Sequence, residues 1–270
     1  MQQQGSVTLV GAGPGDPELL TLKAVRAIER ASVVLIDDLV NPEILAYAPA
    51  SARVIQVGKR GGCASTPQEF IERLMVAEAR AGHHVVRLKG GDPYMFGRGG
   101  EERATLRAQG ISVEVVPGIS SGLAAPSSIG VPLTHRAHSQ GVVFVTGHGK
   151  DAASEPNWQA LAQSGLTLVI YMGVARCESI QAGLLAGGAL PTTPVAVVQS
   201  ATRASQRQLL TTLEQLPEAL HASGLGSPSI IVIGDVVRCA DEWQQFLDAA
   251  PSACTASVQQ CTATWQQAAG

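Results

Sequence analysis

A strand that runs straight into a glycine-rich loop is the feature that most restricts the fold of this chain. Residues 84–88 read His-Val-Val-Arg-Leu, and five glycines and one proline follow between residues 90 and 100. Glycine permits positive φ angles and close approach of the backbone to a ligand, at a cost in conformational entropy. Open α/β sheets bind their ligands beyond the carboxyl ends of such strands. The segment 84–102 therefore predicts a buried strand, a binding loop for something small and charged, and a helix.

The alternation of strands and helices extends over most of the chain. Apolar runs predict strands at residues 7–10, 33–36, 53–57, 84–88, 112–116, 142–145, 166–172, 195–198 and 229–233. Helical patterns separate most of these runs, which is typical of mostly parallel sheets covered on both faces. We predict an α/β fold with one domain over residues 1–135, a second over 136–246, and a disordered tail over 247–270. The segment 130–139 breaks the alternation and is interpreted as the linker.

Composition excludes several function classes. The 270 residues are 45% hydrophobic, which is ample for a core, but no run approaches the ~18 apolar residues of a membrane span. The net charge of −3 provides no overall field that would attract nucleic acid. The five cysteines show no CxxC spacing, which argues against a zinc site or a disulfide framework and favours a reduced compartment. We expect a cytoplasmic protein with no metal, membrane or nucleic-acid partner.

The first strand leads into Gly-Ala-Gly-Pro-Gly-Asp at residues 11–16. A dinucleotide fingerprint requires glycine at the sixth position, where this chain has Asp16. Asp16 and Glu18 would also put negative charge where a pyrophosphate has to sit. In favour of a dinucleotide, Asp37 ends the second strand, where an acid that binds ribose would lie. The motif alone leaves a nicotinamide-dependent oxidoreductase open.

Asp37 and Lys59 each follow the end of a predicted strand. The ends of parallel strands gather at one edge of a sheet, so the two side chains are able to face one cleft as a base and an acid. A surface ion pair of little energetic value explains the same positions equally well. Six basic residues are predicted to lie in or beside loops at strand ends, and their convergence would make a site for a polyanion. These are Lys59, Arg60, Arg87, Lys89, Arg98 and Arg136.

Seven motifs occur in a fixed order at residues 11–16, 57–62, 87–102, 116–119, 130–136, 145–148 and 171–173. Together they resemble the uroporphyrinogen-III C-methyltransferase family, and the resemblance runs from about Val7 to Trp243. It implies two α/β domains with S-adenosyl-L-methionine in the cleft between them, and a homodimer. It also implies methylation of uroporphyrinogen III at C2 and C7, which gives precorrin-2 for sirohaem, cobalamin or haem d1, with S-adenosyl-L-homocysteine as the second product.

The resemblance also assigns roles to individual residues. Asp37 resembles the proposed proton acceptor of the family and Lys59 its proposed donor. Arg98, Glu101 and Arg136 resemble substrate-binding positions. The implied cofactor contacts are Pro14, Gly90, Gly91, Asp92, Met95, Ser120, Ser121, Met172 and Ala201.

Elementary chemistry agrees with these roles. A substrate with eight carboxylates needs clustered arginines despite the net negative charge. The methylated ring is cationic and must lose a proton to a base, for which Asp37 is the first choice and Arg98 a poor one. The chain departs from many relatives beside that base, since Ile36 and Asp38 stand where those relatives have Tyr and Arg.

Three alternatives remain at this stage. A sibling methyltransferase that acts on a later precorrin is disfavoured by the motifs at residues 59–62 and 98–102. The oxidoreductase lacks its third glycine, and a non-catalytic binding protein would bind the cofactor without turnover. Because only six residues precede the first strand and a short tail follows the last, we expect a monofunctional chain.

Overall fold

The computed structural model describes residues 5–58, 66–147 and 155–249. The chain forms two compact units that divide between Ala124 and Ala125, ahead of the predicted limit at residue 135. Each unit is built on a five-stranded sheet. The α/β class predicted from the alternation of strands and helices is therefore confirmed.

The sheet of the first unit is entirely parallel. Its strands are β1 (Ser6–Gly11), β2 (Val33–Ile36), β3 (Arg53–Gln56), β4 (His84–Lys89) and β5 (Ser112–Val116). They lie in the order β3-β2-β4-β1-β5, so the strand that leads into the glycine-rich loop is the central one. The carboxyl ends of all five strands consequently meet at one edge, where the predicted site residues were expected.

Helices cover both faces of this sheet. They are α1 (Leu22–Ile28), α2 (Gln68–Arg80) and α3 (Gly99–Ala108). A fourth helix, α4 (Ser121–Ser127), spans the division between the two units. Apolar side chains of α1 pack on one face with β2 and β4, whereas those of α2 and α3 pack on the other. All four residues of β2 are buried, as expected of a parallel strand that is covered on both sides.

The sheet of the second unit is mixed. Its strands are β6 (Val142–Thr146), β7 (Thr167–Tyr171), β8 (Pro194–Gln199), β9 (Arg207–Thr212) and β10 (Ser229–Ile233), in the order β6-β7-β10-β8-β9. Only β6 and β7 pair in parallel, and the other three pairs are antiparallel. The expectation of a mostly parallel sheet is wrong here. β9 was not predicted, and a short connection such as residues 200–206 joins antiparallel strands, because a parallel crossover needs a dozen residues or more.

The helices of the second unit are α5 (Trp158–Ala162), α6 (Cys177–Ala186), α7 (Leu216–Ser223) and α8 (Trp243–Ala249). Side chains of α6 and α7 form its core with β7, β8 and β10. Residues 247–249, the first three of the predicted tail, belong to α8, and the rest of that tail lies outside the described residues. Within the described parts of the chain, no helix has the length and apolar character needed to cross a membrane.

Candidate active site

The glycine-rich loop follows β4 and is fastened to the loop that follows β1. The amide of Gly13 donates to the carbonyl of Gly91 at 3.2 Å, and the amide of Gly91 donates back to Gly13 at 2.7 Å. The amide of Ala12 donates to the carbonyl of Lys89 at 2.8 Å. Two predicted site segments, around Pro14 and around Gly90, are therefore held side by side at the carboxyl edge of the sheet.

Three backbones approach so closely here that only glycine fits. A Cβ on Gly118 would stand 2.3 Å from the carbonyl oxygen of Gly91 and 2.8 Å from the Cα of Gly11. A Cβ on Gly11 would stand 2.5 Å from the amide nitrogen of Gly118. Gly91 also has a φ of 67°, a conformation that other residues rarely adopt. Gly11 and Gly118 are thus required by close backbone packing and Gly91 by its backbone conformation, and together they bring residues 118–121 to the glycine-rich loop.

Asp92 braces this arrangement. One carboxylate oxygen accepts from the amide of Tyr94 at 2.8 Å, and the other accepts from the amide of Gly118 at 3.0 Å. A Cβ at position 91 would lie 3.7 Å from the Cα of Ser120 and 3.7 Å from the amide nitrogen of Ser121, which is van der Waals contact. The predicted contacts Gly91, Asp92, Ser120 and Ser121 are therefore brought together, and these four residues are termed the cradle.

Asp37 lies just past the end of β2, on the strand next to β4. Its side chain is 34% exposed, and one carboxylate oxygen accepts from Nη2 of Arg87 at 2.9 Å. The other oxygen accepts from the amide of Asp38 at 3.1 Å. A Cβ on Gly90 would stand 2.9 Å from the Cβ of Leu39, so the segment that carries Asp37 touches the start of the glycine-rich loop. Asp37 is therefore fixed in orientation, reachable from solvent and adjacent to the cradle.

Arg87 and Lys89 lie beside the glycine-rich loop, as predicted, but their side chains are buried. Both belong to β4, and their side chains are 2% and 5% exposed. They point to the face covered by α3, where Glu102 is fully buried and accepts from Lys89 Nζ at 3.0 Å and from Arg87 Nε at 3.4 Å. A convergence of basic side chains on a polyanion does not draw on these two, because a buried cation must be paired and they are paired with Asp37 and Glu102.

This buried charge cluster, defined as Asp37, Arg87, Lys89 and Glu102, escaped the sequence analysis. Burial and then the charge of Arg87 lower the pKa of Lys89, whereas Glu102 and Asp37 raise it. Gln68 of α2 adds a hydrogen bond of 3.1 Å to the same oxygen of Glu102, and the other oxygen has no hydrogen-bond partner among the described residues. One signal was available: Arg87 and Lys89 share one face of an otherwise apolar strand, which calls for buried partners.

The predicted substrate residues are exposed. Arg98 precedes α3 with a φ of 59°, and its Nε donates to both carboxylate oxygens of Glu101 at 3.2 and 3.1 Å. This hydrogen bonding raises the pKa of Arg98, which makes its guanidinium a still poorer base. Arg136 is exposed in the turn closed by the His135 and Ser139 backbones, and none of the ion pairs between described residues includes it.

The loop after β1 is not arranged like a dinucleotide site. Asp16 precedes a short 3-10 helix at Pro17–Leu19, and its carboxylate accepts from the amide of Glu18 at 2.8 Å. The side chain therefore occupies the helix terminus at which a pyrophosphate would bind. The departure from the fingerprint noted in the sequence thus has a structural counterpart.

The predicted cofactor contacts of the second unit share one edge of its sheet. Met172 follows β7 and Ala201 follows β8, and both strands run antiparallel to β10, which lies between them. Met172 is 53% exposed and Ala201 is 6% exposed. Both of these strand ends therefore lie at the start of β10.

Strained backbone marks the same segments. The non-glycine residues with positive φ among those described are Phe96, Arg98, Met172, Ser200 and Thr202. Such conformations cost energy and concentrate at functional sites. Two of the five lie in the glycine-rich loop, and the others are Met172 itself and the two neighbours of Ala201. The sequence offered no signal for this strain.

Lys59, together with Arg60 in the motif at 57–62, lies outside the described residues. Of the candidate acid and base, the structure therefore describes Asp37 alone. Met95 and Pro14 are both half-buried in their loops. Among residues 5–58, 66–147 and 155–249, no group of three or more His, Cys, Asp or Glu side chains is placed to hold a metal ion.

The family model of tetrapyrrole (corrin/porphyrin) methylases matches residues 6–217. The chain is 58% identical to a uroporphyrinogen-III C-methyltransferase of Pseudomonas aeruginosa over 87% of its own length and 95% of that protein. It is 54% identical to siroheme synthase 2 of Aeromonas salmonicida over 90% of its own length, but it spans only half of that longer protein.

A solved structure has a similar fold. It is the uroporphyrin-III C-methyl transferase of Thermus thermophilus in complex with S-adenyl homocysteine. The TM-score is 0.73 and the sequence identity is 44%, over 87% of this chain and 99% of that one. This similarity covers both units of the chain described above.

Proposed function

Because the chain belongs to the tetrapyrrole (corrin/porphyrin) methylase family, we propose that it methylates uroporphyrinogen III with S-adenosyl-L-methionine as the methyl donor. The methyl groups go to C2 and C7, and the product is precorrin-2. The observation that carries the proposal is that all five strained residues lie in or beside segments assigned to cofactor or substrate. A nicotinamide-dependent oxidoreductase is set aside, since Asp16 fills the helix terminus that a pyrophosphate needs.

The residues of the cradle fit the methyl donor. Gly91 lies against Ser120 and Ser121, and serine hydroxyl groups are chemically suited to ribose hydroxyls and to an amino-acid carboxylate. In the first unit we assign the cofactor to Pro14, Gly90, Gly91, Asp92, Met95, Ser120 and Ser121. In the second unit we assign it to Met172 and Ala201. When bound, S-adenosyl-L-methionine supplies a methyl group on a positively charged sulfur.

Asp37 is the group we assign to proton removal. A pyrrole carbon that has gained a methyl group leaves its ring with a positive charge, and the ring becomes neutral again when it loses a proton. Asp37 is one-third exposed and held in place by Arg87 and by the amide of Asp38. It therefore presents a fixed carboxylate that accepts this proton without rearrangement of the site. Lys59 is proposed as the proton donor on the resemblance alone.

Recognition of the substrate is assigned to exposed arginines. Arg136 has an exposed guanidinium, and a guanidinium binds a carboxylate through two parallel hydrogen bonds. The guanidinium of Arg98 already donates to the carboxylate of Glu101. A substrate carboxylate therefore competes with Glu101 for this guanidinium. The buried Arg87 and Lys89 take no part in substrate binding.

Anaerobic incubation of the protein with uroporphyrinogen III and S-adenosyl-L-methionine tests the proposal. Mass spectrometry is expected to show a product with two added methyl groups and a matching amount of S-adenosyl-L-homocysteine. A parallel incubation with a later precorrin is expected to give no methyl transfer. Transfer to the later precorrin alone, or to neither substrate, would refute the proposed reaction.

We also propose that the protein acts as a homodimer in the cytoplasm. The family resemblance supports the dimer, and the absence of CxxC spacing among the five cysteines supports a reduced compartment. Sedimentation equilibrium is expected to give twice the 27.9 kDa of one chain. A single species at the chain mass would rule out the dimer.

A further inference from the structure

The buried charge cluster joins two cations to two carboxylates through one guanidinium. Arg87 donates to Asp37 at 2.9 Å from Nη2 and to Glu102 at 3.4 Å from Nε. Lys89 donates to the same oxygen of Glu102 at 3.0 Å. Arg87 therefore bridges the two carboxylates, and Lys89 lies within electrostatic range of Asp37.

Stability alone does not account for this cluster. Glu102 is fully buried and Arg87 nearly so, on a face of the sheet that is otherwise apolar. Desolvation of buried ion pairs is costly, and well-packed apolar residues in their place are often neutral or stabilising. One oxygen of Glu102 even lacks a hydrogen-bond partner among the described residues. A strand that only had to pack would be better served by apolar residues, and the contact of Arg87 with Asp37 connects the cluster to the proposed base.

The cluster surrounds Asp37 with charges of both signs. Arg87 and Lys89 on β4 face Asp37 and Glu102, so two positive charges meet two negative ones. The neighbouring Asp38 contributes a further carboxylate, and its amide donates to Asp37. Removal of any one of these charges changes the electrostatic potential at the Asp37 carboxylate.

We propose that Glu102 and Lys89 are positioning residues that determine, through Arg87, how strongly Asp37 holds a proton. This inference rests on the proposed function. No covalent bond in the cluster changes: the proton leaves the methylated ring, binds a carboxylate oxygen of Asp37 and passes to solvent. Glu102 offsets part of the positive charge that Arg87 presents to Asp37, and Lys89 adds to that positive charge.

The two residues must therefore shift the pH dependence of the reaction in opposite directions. In Glu102→Gln the cluster gains positive charge, Asp37 stays ionised to lower pH, and the acidic limb of the pH–rate profile moves down. In Lys89→Met the cluster gains negative charge, and the acidic limb moves up. We expect each shift to be about half a pH unit or more, given that one neighbouring charge displaces a titration by about one unit or more when in direct contact. A loss of packing would lower the rate in both variants without opposite shifts.

The experiment is single-turnover methylation of uroporphyrinogen III at saturating cofactor and substrate, measured against pH in the wild type and both variants. Titration of the substrate carboxylates affects the wild type and the variants alike, so it does not contribute to the difference between their pH–rate profiles. Glu78→Gln is the matched control: Glu78 is a carboxylate on α2 whose ion-pair partners, Arg53 and His83, are not partners of Glu102. Its profile is expected to coincide with that of the wild type.

Calorimetric binding of S-adenosyl-L-homocysteine verifies that each variant is folded. If only one of the two variants folds, the direction in which its acidic limb shifts relative to the wild type tests the inference. Opposite shifts support the inference, and superimposable profiles or shifts of the same sign overturn it. A wild type that methylates nothing would instead refute the proposed function, so the two failures are distinguishable.

Discussion

Asp37 owes its proposed role to its neighbours more than to its position in the sequence. A carboxylate at a strand end is equally compatible with a surface ion pair, and the sequence left the two interpretations open. The structure shows its partner to be the buried Arg87 of the adjacent strand, at 2.9 Å. A flexible surface pair gives little fixed geometry. A partner anchored in the sheet core holds the carboxylate in one orientation, which proton transfer requires.

Asp37→Asn is expected to bind S-adenosyl-L-homocysteine as the wild type does and to lose turnover by about 100- to 10,000-fold, because the amide keeps the contact with Arg87 but does not accept a proton. Calorimetry and single-turnover kinetics measure the two quantities. Asp38→Asn is the control, since it removes one charge from the next residue. Equal turnover in Asp37→Asn and the wild type would remove Asp37 from the mechanism.

Arg136→Ala is expected to weaken uroporphyrinogen III binding about ten-fold or more and to leave cofactor binding unchanged, since an exposed guanidinium would lose its bond to a substrate carboxylate. Titration calorimetry with each ligand separates the two effects. Arg107→Ala, in the last turn of α3, is the control. The same loss of affinity for both ligands would argue against a substrate role.

At the scale of elements, the central strand β4 contributes to the site in two ways. The end of β4 leads into the glycine-rich loop, while its Arg87 and Lys89 reach back beneath α3. The motif was recognisable in the sequence because a cluster of glycines with a proline is a local signal for a loop of unusual backbone conformation. The buried contacts of Arg87 and Lys89 were not recognisable in the sequence. They depend on Glu102, which lies 13 to 15 residues further along the chain, on a helix whose orientation local patterns do not encode.

Gly118→Ala is expected to destabilise the protein by about 1–3 kcal/mol through overpacking and to weaken cofactor binding. The added Cβ would collide with the carbonyl oxygen of Gly91 and displace the hydrogen bond to Asp92. Urea unfolding and calorimetry measure the two effects. Gly100→Ala is the control, since its Cβ meets nothing within 4 Å on a helix, and it is expected to stabilise by about 0.5–1 kcal/mol. A harmless Gly118→Ala would contradict the close-packing argument.

The first residue of β4 makes folding sensitive to acid. Burial, and then the charge of Arg30, lower the pKa of His84 below its ordinary value of 6.5, and Glu114 opposes them. The unfolded chain therefore takes up this proton at a higher pH than the folded chain does. The contribution to stability is fully present above pH 6.5 and is lost as the pH falls below it.

His84→Gln is expected to flatten the decline in the free energy of unfolding between about pH 7 and 5, while its amide oxygen still accepts from the Ser6 hydroxyl. Urea unfolding at several pH values measures this. His221→Gln, exposed on α7, removes one histidine elsewhere and is expected to leave the decline as in the wild type. An undiminished decline in His84→Gln would contradict the assignment.

At the scale of the whole molecule, the sequence was sufficient for the class of fold and insufficient for the second sheet. Hydrophobic runs gave the position of nine strands because buried strands leave a local signal. β9, with the sequence Arg-Gln-Leu-Leu-Thr-Thr, has only two apolar residues and was missed. The directions of the strands in that sheet depend on how the chain connects them, and the hydrophobic periodicity of a strand carries no information about its direction.

The net charge of −3 also has a consequence at this scale. A substrate with eight carboxylates is not attracted by the molecule as a whole, so its recognition depends on local groups such as Arg136. The positions at which the substrate is methylated therefore depend on the local groups of the site, and not on a general attraction of the protein for tetrapyrroles.

The most direct test of the account is to locate the transferred methyl groups. Nuclear magnetic resonance of the product formed anaerobically from uroporphyrinogen III and isotope-labelled methyl donor is expected to show two labelled methyl groups, at C2 and at C7. A single labelled methyl group, a methyl group on any other carbon, or an unlabelled product alongside bound cofactor would contradict the proposed function.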